Sequence, residues 1–448
     1  MARAPGPRLP AIAQAALVTA EPYRWMAARQ RRHGDVFSSR FPMFGDVTYV
    51  ASPDTVRAVF GAGPDTHRAG EANSSVLGPV LGANSLLTLD GGEHLRQRKL
   101  LLPPFHGERI TGYAELIADI TEAEVSRWPL GVPFALRPAM QRITLEVILR
   151  AVFGVRGEER LERFREALPK LGETSNFLLF FEWLRRDLGP LSPWAHFLRV
   201  RAAVDELIYE EIALHRDAPD LDERDDVLSL LLRARDEDGQ PMTDEELRDE
   251  LMTLLTAGHE TTATGLSWAF ERLVRTPAVL ATAVDTLDEG DEYLDAVVRE
   301  TLRLRPVIVD VGRRLTGDWQ LHGYDLPAGT LVLPAIAAIH RRADLWERPL
   351  LFRPERFIES QPVPYSWIPF GGGVRRCIGA AFAQMEMRVV LRGVLERVSL
   401  AYVREAPERP RVRHVTAVPG RDAEVVVSHL LPTRVASSSE GARVASPA

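Results

Sequence analysis

The stretch that decides the fold reads FGGGVRRCIG over residues 370–379. Its three glycines leave the backbone free to adopt dihedral angles that other residues avoid. Cys377, the only cysteine of the chain, follows them after Val374, Arg375 and Arg376. From Ile378 to Val389, apolar residues recur at spacings of four, three and four, which predicts a helix. The thiol is therefore expected at a helix N-terminus beside two arginines, where the helix dipole and unpaired N–H groups favour a thiolate.

A single thiolate suits few kinds of chemistry. A structural zinc site needs three more ligands, and a [4Fe–4S] cluster needs four thiolates. A cysteine hydrolase needs a histidine base, for which His94, His259 and His340 are the candidates. A haem iron needs only one axial thiolate. The residues around Cys377 leave the hydrolase and the haem protein as open alternatives.

The longest predicted helix runs from Asp244 to about Arg275, and Thr243 with Glu246 forms a capping-box pattern at its start. Its middle reads AGHETT over residues 257–262. A glycine inside a helix costs about 1 kcal/mol relative to alanine, and threonine is also a poor helix former. Such local inconsistency often marks a functional site. The alternative is a helix crossing, in which Gly258 permits close approach and a threonine bonds back to the preceding turn.

The remaining segments predict a mainly α fold with a small β region. Asp35–Ala51 reads as a hairpin with its turn at Gly45-Asp46, and a helix opens after Ser52. Val132–Leu136 and Asp318–Leu333 read as strands, and helices fill most of the chain from Glu93 to about Leu400. We expect one integrated domain over residues 1–436 and a disordered tail over residues 437–448.

Composition excludes several classes of protein. The 448 residues include 55 basic and 62 acidic side chains, a net charge of −7, which disfavours a nucleic-acid binder. One cysteine excludes an intrachain disulfide and favours a reducing compartment. No apolar run approaches the roughly 20 residues that span a bilayer. We therefore expect a cytoplasmic, monomeric protein without a membrane span.

The Cys377 segment resembles the haem-thiolate loop of the cytochrome P450 family, F-x-x-G-x-x-x-C-x-G, at Phe370, Gly373, Cys377 and Gly379. Other family landmarks follow the same order along the chain, and the resemblance covers about residues 20–430. They are the H-x-x-x-R pattern at His94 and Arg98, the [A/G]-G-x-[D/E]-T pattern at Ala257–Thr261, the E-x-x-R pattern at Glu300–Arg303, and the P-E-R-F pattern at Pro354–Phe357.

The E-x-x-R pattern has no specificity by itself. It also occurs at Glu93–Arg96, Glu124–Arg127, Glu162–Arg165, Glu182–Arg185 and Glu245–Arg248. Most such pairs lie on solvated helix faces and contribute a few tenths of a kcal/mol. Glu300–Arg303 differs because it precedes Pro306 and lies between the long helix and the cysteine loop. For this pair the resemblance implies a buried network of Glu300, Arg303 and Arg356.

The resemblance also implies a cofactor, haem b, held between the central helix and the helix after Cys377. Cys377 would be the proximal iron ligand, with Phe370 packed beside the sulfur and the backbone around Gly379 bonding to it. Cationic groups would bind the two haem propionates, and Leu95 stands where many members of the family carry tryptophan. The expected propionate partners are His94, Arg98, Arg313 and Arg375.

Glu260 and Thr261 would form the acid–alcohol pair that serves dioxygen activation. The pocket residues implied by the resemblance are mainly apolar, and Asp310 is a further candidate that could accept a substrate hydroxyl. The pocket residues are Val76, Leu86, Phe177, Phe180, Ala257, Val307 and Val309.

The function implied is that of a monooxygenase that hydroxylates a hydrophobic small molecule, such as a terpenoid, a steroid or a similar lipid. It would use dioxygen and two electrons from a separate ferredoxin or flavodoxin with its reductase, since no fused reductase fits after Ser437. Arg375 or Arg376 would help to form the docking patch for that partner. The alternatives are a haem-thiolate binding or sensing protein without turnover, and a cysteine hydrolase.

Overall fold

The structure is a computed structural model that describes residues 3–172, 178, 182–186 and 188–431. Phe177, Phe180 and the expected tail lie outside the described residues. None of the helices in these ranges combines the length and the apolar character that crossing a membrane requires.

Helices make up most of the fold, and all of them are numbered here in chain order. They are α1 (Ala11–Ala20), α2 (Pro22–His33), α3 (Pro53–Gly61), α4 (Ala69–Leu81), α5 (Gly91–Leu101), α6 (Ala114–Val125), α7 (Leu136–Val147), α8 (Glu158–Gly172), α9 (Pro193–Arg216), α10 (Val227–Arg233), α11 (Asp244–Val274), α12 (Pro277–Asp285), α13 (Glu292–Leu304), α14 (Ile336–Ile339), α15 (Arg356–Glu359) and α16 (Ala380–Leu395).

The strands are short and form four small sheets. They are β1 (Val36–Phe41), β2 (Gly45–Val50), β3 (His67–Arg68), β4 (Phe134–Ala135), β5 (Arg313–Leu315), β6 (Trp319–Leu321), β7 (Tyr324–Leu326), β8 (Leu331–Pro334), β9 (Val398–Tyr402), β10 (Pro410–Arg413), β11 (Thr416–Pro419) and β12 (Glu424–Leu430). The largest sheet has the order β1-β2-β8-β5-β3, in which only β2 and β8 are parallel. The others are β4-β12-β9 and the hairpins β6-β7 and β10-β11.

Two apolar clusters build the core. The larger cluster joins the helices and includes buried residues of α7, α11, α13 and α16. The smaller cluster lies on the five-stranded sheet and includes buried residues of α2, β2 and α14. Burial of apolar surface at roughly 25 cal/mol per Å² is the main stabilising contribution in both. The Trp268 indole on α11 donates to the Ala417 carbonyl of β11 at 2.8 Å, which ties the central helix to the β region.

The central helix α11 has the capping box that the sequence predicts. The Thr243 hydroxyl accepts from the Glu246 N–H, and the Glu246 carboxylate accepts from the Thr243 N–H at 2.8 Å. The helix is buried over residues 247–255 and again over residues 262–271. Residues 256–261 between them are only partly buried or exposed. The polar patch of the sequence is thus the one stretch of this helix interior that the surrounding protein leaves uncovered.

Two predicted strand boundaries are wrong, and proline explains both. The β1–β2 hairpin turns at residues 42–44, whereas Gly45 and Asp46 already pair with Phe41 and Arg40. Pro42 has no N–H to donate to the ladder, so β1 ends before it. Pro133 acts in the same way, because the expected strand shrinks to Phe134–Ala135 and α7 begins at the next residue.

Candidate active site

Glu300 and Arg303 form a fully buried pair on α13. The Arg303 guanidinium donates to both Glu300 oxygens at 2.6 and 2.8 Å, and neither side chain has exposed surface. Arg356 and the backbone N–H of Arg353 donate to the same carboxylate at 3.2 and 2.9 Å. The three residues that the family resemblance names therefore lie together, and every charge in the group has a hydrogen-bond partner.

His340 connects this network to the cysteine loop. Its carbonyl accepts from the Arg303 guanidinium at 2.7 Å, and its Nδ1 lies 3.2 Å from the Arg303 carbonyl. Its Nε2 accepts the backbone N–H of Ile368 at 2.9 Å, two residues before Phe370. Burial, together with the Arg303 charge, lowers the pKa of His340 to about 3. The ring is therefore neutral and holds the loop by accepting a hydrogen bond.

The cysteine loop needs its glycines because α3 packs directly against it. A side chain at Gly373 would stand 2.2 Å from the Phe60 carbonyl oxygen, and Gly373 also has a φ of +63°. The Cys377 N–H donates to the Phe370 carbonyl at 3.0 Å and closes the loop. The Phe370 ring meets Trp367 edge to face at 6.1 Å. Cys377 lies three residues before α16, in line with the expected position at a helix start.

The Cys377 side chain is solvent-accessible, although protein atoms surround it closely on its other sides. This dense surrounding raises the pKa of the thiol, while the Gly379 N–H and the guanidinium groups of Arg98 and Arg376 lower it. Desolvation is the larger of these effects, and it opposes the thiolate that the helix start and the neighbouring arginines are expected to favour. A metal bound to the sulfur would deprotonate it outright.

A cluster of cationic side chains lies next to the cysteine loop. It comprises His94 and Arg98 of α5, Arg313 of β5, and Arg375. Burial, together with the charges of Arg375, Arg98 and Arg313, lowers the pKa of His94 to about 4. Burial and Arg375 lower the pKa of Arg313 to about 10. At neutral pH this gives three positive guanidinium groups around an uncharged imidazole.

The charge of this cluster fits the haem that the cysteine implies. Among the described residues, Asp90 is the carboxylate that pairs with it, through the Arg375 guanidinium at 2.5 Å. Three guanidinium groups and one carboxylate leave a net charge of +2, equal and opposite to two haem propionates. Buried like charges are costly without counter-charge, so the cluster requires an anionic group of this size. Cys377 offers the one thiolate that an axial iron ligand needs.

The uncovered turn of α11 has features that a functional site would have and features that a helix crossing would have. The Thr261 hydroxyl donates to the Ala257 carbonyl at 2.5 Å, the back-bonding geometry of a helical threonine. A side chain at Gly258 would stand 3.0 Å from the Ile148 side chain, so this glycine also serves a helix crossing. Burial lowers the pKa of His259 to about 4, and its Nδ1 lies 2.8 Å from the Thr144 hydroxyl. The crossing therefore explains Gly258, but it leaves Glu260 and the exposure of the turn unexplained.

Glu260 is held from α7 by residues that the sequence analysis missed. Its two oxygens accept from Arg137 at 2.9 Å and from Gln141 at 2.7 Å. Arg137 also donates to Asp422 at 2.6 Å. Arg137 and Gln141 are four residues apart on one helix face, but no local pattern connects them with a carboxylate more than a hundred residues away.

The expected pocket residues divide between the two core clusters. Leu86 and Val307 are buried in the larger helical cluster, whereas Val309 packs against the sheet cluster. Val76 is buried on α4, and Ala257 is exposed on the uncovered turn of α11. Phe177 and Phe180 lie outside the described residues, and Asp310 has a different environment from the one expected. It is half-buried and accepts a hydrogen bond from Tyr49 of β2, and desolvation raises its pKa to about 6.

A helical fold with a buried E-x-x-R network, one accessible cysteine and a +2 cluster beside it defines a haem-thiolate protein. The family model of cytochrome P450 matches residues 4–419. The chain belongs to the cytochrome P450 family, and its cofactor is haem. Membership of this family overturns the cysteine-hydrolase alternative.

The relatives support this assignment over nearly the whole chain. Cytochrome P450 135B1 of Mycobacterium tuberculosis is 46% identical over 435 residues, which cover 94% of this chain and 91% of that protein. Cytochrome P450 138 of the same organism is 40% identical, and the match covers 94% of this chain and 96% of that protein. A retinoic acid-bound cyanobacterial CYP120A1 has a TM-score of 0.81 at 26% identity, covering 96% of this chain and 99% of that chain.

Proposed function

We propose that this protein is a haem-thiolate monooxygenase that hydroxylates a hydrophobic small molecule with dioxygen and two electrons from a separate carrier. The observation that carries the proposal is the uncovered turn of α11, where a carboxylate and a hydroxyl stand side by side on an otherwise buried helix. Haem bound through Cys377 supplies the reductive activation of dioxygen. A binding or sensing protein would not need the acid–alcohol pair.

Each residue of the pair has a separate task in this proposal. Thr261 positions the proton donor next to the reacting oxygen, since its hydroxyl can accept a hydrogen bond while donating to Ala257. Glu260 relays protons, because its carboxylate is partly exposed and Arg137 and Gln141 restrict its orientation. Proton delivery by a positioned group typically contributes about 10²–10⁴-fold to a rate.

The haem is held from two sides in this proposal. Cys377 binds the iron, and the Gly379 N–H bonds to the sulfur and tunes its donor strength. His94, Arg98, Arg313 and Arg375 receive the propionates. Glu300, Arg303 and Arg356 keep the cysteine loop in place through His340, without contact with substrate.

Electrons come from a small acidic ferredoxin or flavodoxin that docks on the cysteine side. Arg376 is exposed there, and its charge lowers the pKa of both Arg98 and Cys377. Arg375 does not serve as a docking residue, because all its bonds point inward to Asp90, Leu86 and Leu89. Steering by such charges depends strongly on ionic strength.

The proposed substrate is a terpenoid, a steroid or a similar lipid. Val76, Leu86 and Val307 are apolar, as expected for the wall of such a pocket. Retinoic acid in the cyanobacterial relative is likewise a mainly apolar molecule. Asp310 is not part of this proposal, because its carboxylate is already hydrogen-bonded to Tyr49.

A binding screen followed by product analysis tests the proposed function. The purified holoprotein would be titrated with terpenoids, steroids and fatty acids, and each binder incubated with a ferredoxin, its reductase and NADPH. We expect a hydroxylated product of at least one apolar binder that requires both dioxygen and reductant. If every binder is returned unchanged while the haem is reduced normally, the protein binds without turnover.

A further inference from the structure

Asp90 stands directly before α5 but does not cap that helix with its side chain. Its carboxylate instead accepts three backbone N–H groups at the start of α4. The donors are Ala69, Gly70 and Glu71, at 3.0, 2.9 and 2.8 Å. One carboxylate therefore satisfies three of the four N–H groups that a helix start leaves without an intrahelical partner.

The same carboxylate holds Arg375. The Arg375 guanidinium donates to Asp90 at 2.5 Å and to the carbonyls of Leu86 and Leu89 at 3.0 and 2.6 Å. A side chain at Gly70 would stand 2.5 Å from the Leu89 carbonyl oxygen, so the start of α4 lies directly on this segment. The α4 start, the segment before α5 and the cysteine loop thus meet at one acidic group.

Asp90 also sets the charge of the cluster. Its charge acts on His94 and Arg313, and in both cases it opposes the effect of the neighbouring guanidinium groups by raising the pKa. Removing it would change the net charge of the cluster from +2 to +3. The charge-assisted bond from the Arg375 guanidinium to this carboxylate is also stronger than its bonds to the two carbonyls, so Asp90 contributes most to the direction of the guanidinium group.

We propose that Asp90 is a positioning residue for the haem, which orients Arg375 towards a propionate and sets the net positive charge that both propionates face. The proposal concerns haem binding by this family member and does not depend on the proposed reaction. It would hold even for a protein that binds its ligand without turnover.

An isosteric change separates this role from a purely structural one. Asp90→Asn keeps the size and one acceptor oxygen but removes the charge. Because reduction of the iron adds an electron, a more positive surrounding favours the reduced state. We expect the ratio of reduced to oxidised protein at a fixed applied potential to rise about threefold to tenfold, where tenfold is 59 mV for one electron.

The experiment compares Asp90→Asn with Asp46→Asn. Asp46 is likewise an aspartate paired with one arginine, Arg40, but it lies on the exposed β1–β2 hairpin, where the two bonds measure 2.6 and 2.8 Å. Reduction potential, the rate of haem transfer to an apo-globin and the unfolding temperature would be measured on each holoprotein. We expect a shifted potential and faster haem transfer in Asp90→Asn alone.

Asp90→Glu provides the second arm, since it retains the charge with a longer side chain. The proposal predicts that the ratio of reduced to oxidised Asp90→Glu protein, at the same applied potential, stays within threefold of the wild-type ratio. This should hold even where the unfolding temperature falls. A lowered unfolding temperature of Asp90→Asn with an unchanged potential and unchanged haem transfer would overturn the proposal and leave Asp90 as a cap of α4. A shift in Asp90→Glu as large as that in Asp90→Asn would also overturn it.

Discussion

Two Glu–Arg groups flank the haem region, and they differ in how tightly the protein holds the carboxylate. Glu300 has no exposed surface and accepts from Arg303, Arg356 and the Arg353 backbone. Glu260 has a side chain that is 24% exposed and accepts from Arg137 and Gln141 only. The first carboxylate is fully enclosed, and the second retains contact with solvent.

In the proposed function, this difference separates a pair that holds the structure from a carboxylate that takes part in turnover. A fully buried ion pair cannot exchange partners without leaving a charge in a medium of low dielectric constant, so it fixes the geometry around it. A partly exposed carboxylate can gain and lose a proton while its partners stay in place. The comparison therefore predicts that changes at Glu300 affect folding and haem retention, whereas changes at Glu260 affect turnover.

Arg303→Ala should have the largest effect on stability. It leaves the Glu300 charge buried without its main partner, which typically costs about 3–5 kcal/mol. We expect a lower unfolding temperature and poor haem retention, measured by thermal unfolding and by the haem-to-protein ratio. Arg404→Ala is the control, because the Arg404 side chain is 60% exposed and pairs, among the described residues, with Glu424 alone at 2.8 Å, so that it should contribute less than about 1 kcal/mol. Equal losses in both variants would contradict the comparison.

Glu260→Gln should leave the fold intact and slow the whole catalytic cycle. The amide keeps the shape and can still accept from Arg137, but it cannot carry a proton. We expect product formation and reductant use to fall together by up to about 10²–10⁴-fold, with the ratio of product to reductant unchanged. Haem content and unfolding temperature serve as controls. A wild-type rate would show that Glu260 is only the partner of Arg137.

Thr261→Ala should instead separate reductant use from product formation. The hydroxyl is lost from the uncovered turn, while the buried face of α11 is unchanged, so haem content and substrate binding should persist. We expect near-normal reductant use, more hydrogen peroxide and less hydroxylated product, with solvent water recovering part of the loss. The measurement is the product formed per reductant consumed. The wild-type ratio in this variant would leave Thr261 with its bond to Ala257 as its only role.

Acid should lower the stability of the protein around the Glu300 network, because it protonates His340. Its pKa is about 3 in the folded protein and 6.5 in the reference state, so the unfolded chain binds more protons between these values. Stability is therefore complete above pH 6.5 and falls as the pH decreases towards 3. At pH 5 the loss from this group is about 2 kcal/mol. In His340→Gln, which retains an acceptor for Ile368, unfolding temperature should depend less steeply on pH, and an identical pH dependence would refute this assignment.

The sequence predicted the features that depend only on residues close together in the chain. Cys377 and its glycines, the Thr243 capping box and the E-x-x-R spacing are all local patterns, and the structure contains each of them. It could not show that Glu300–Arg303 is buried while Glu162–Arg165 is exposed, because burial depends on packing between distant elements. Asp90 shows the same limit, because an aspartate before a helix usually caps that helix, whereas this one binds the start of α4.

The partners of Glu260 were beyond local inference for the same reason. Arg137 and Gln141 lie far from it in sequence, and only the packing of α7 against α11 brings them near. Proline positions explain the wrong strand boundaries, because a missing N–H ends a ladder in a way that hydrophobic alternation does not reveal. The desolvation of Cys377 likewise depends on the α3 and α5 contacts that form only in the fold.

The most direct test of the account is the carbon monoxide difference spectrum of the reduced protein and of Cys377→Ser. A neutral hydroxyl is a poor donor to iron, and the chain has no other cysteine to replace it. The account predicts a thiolate-type spectrum for the wild-type protein and its complete loss in Cys377→Ser, with haem still present by pigment extraction. A Cys377→Ser protein that retains the thiolate-type spectrum would contradict the account, because the iron ligand would then lie elsewhere.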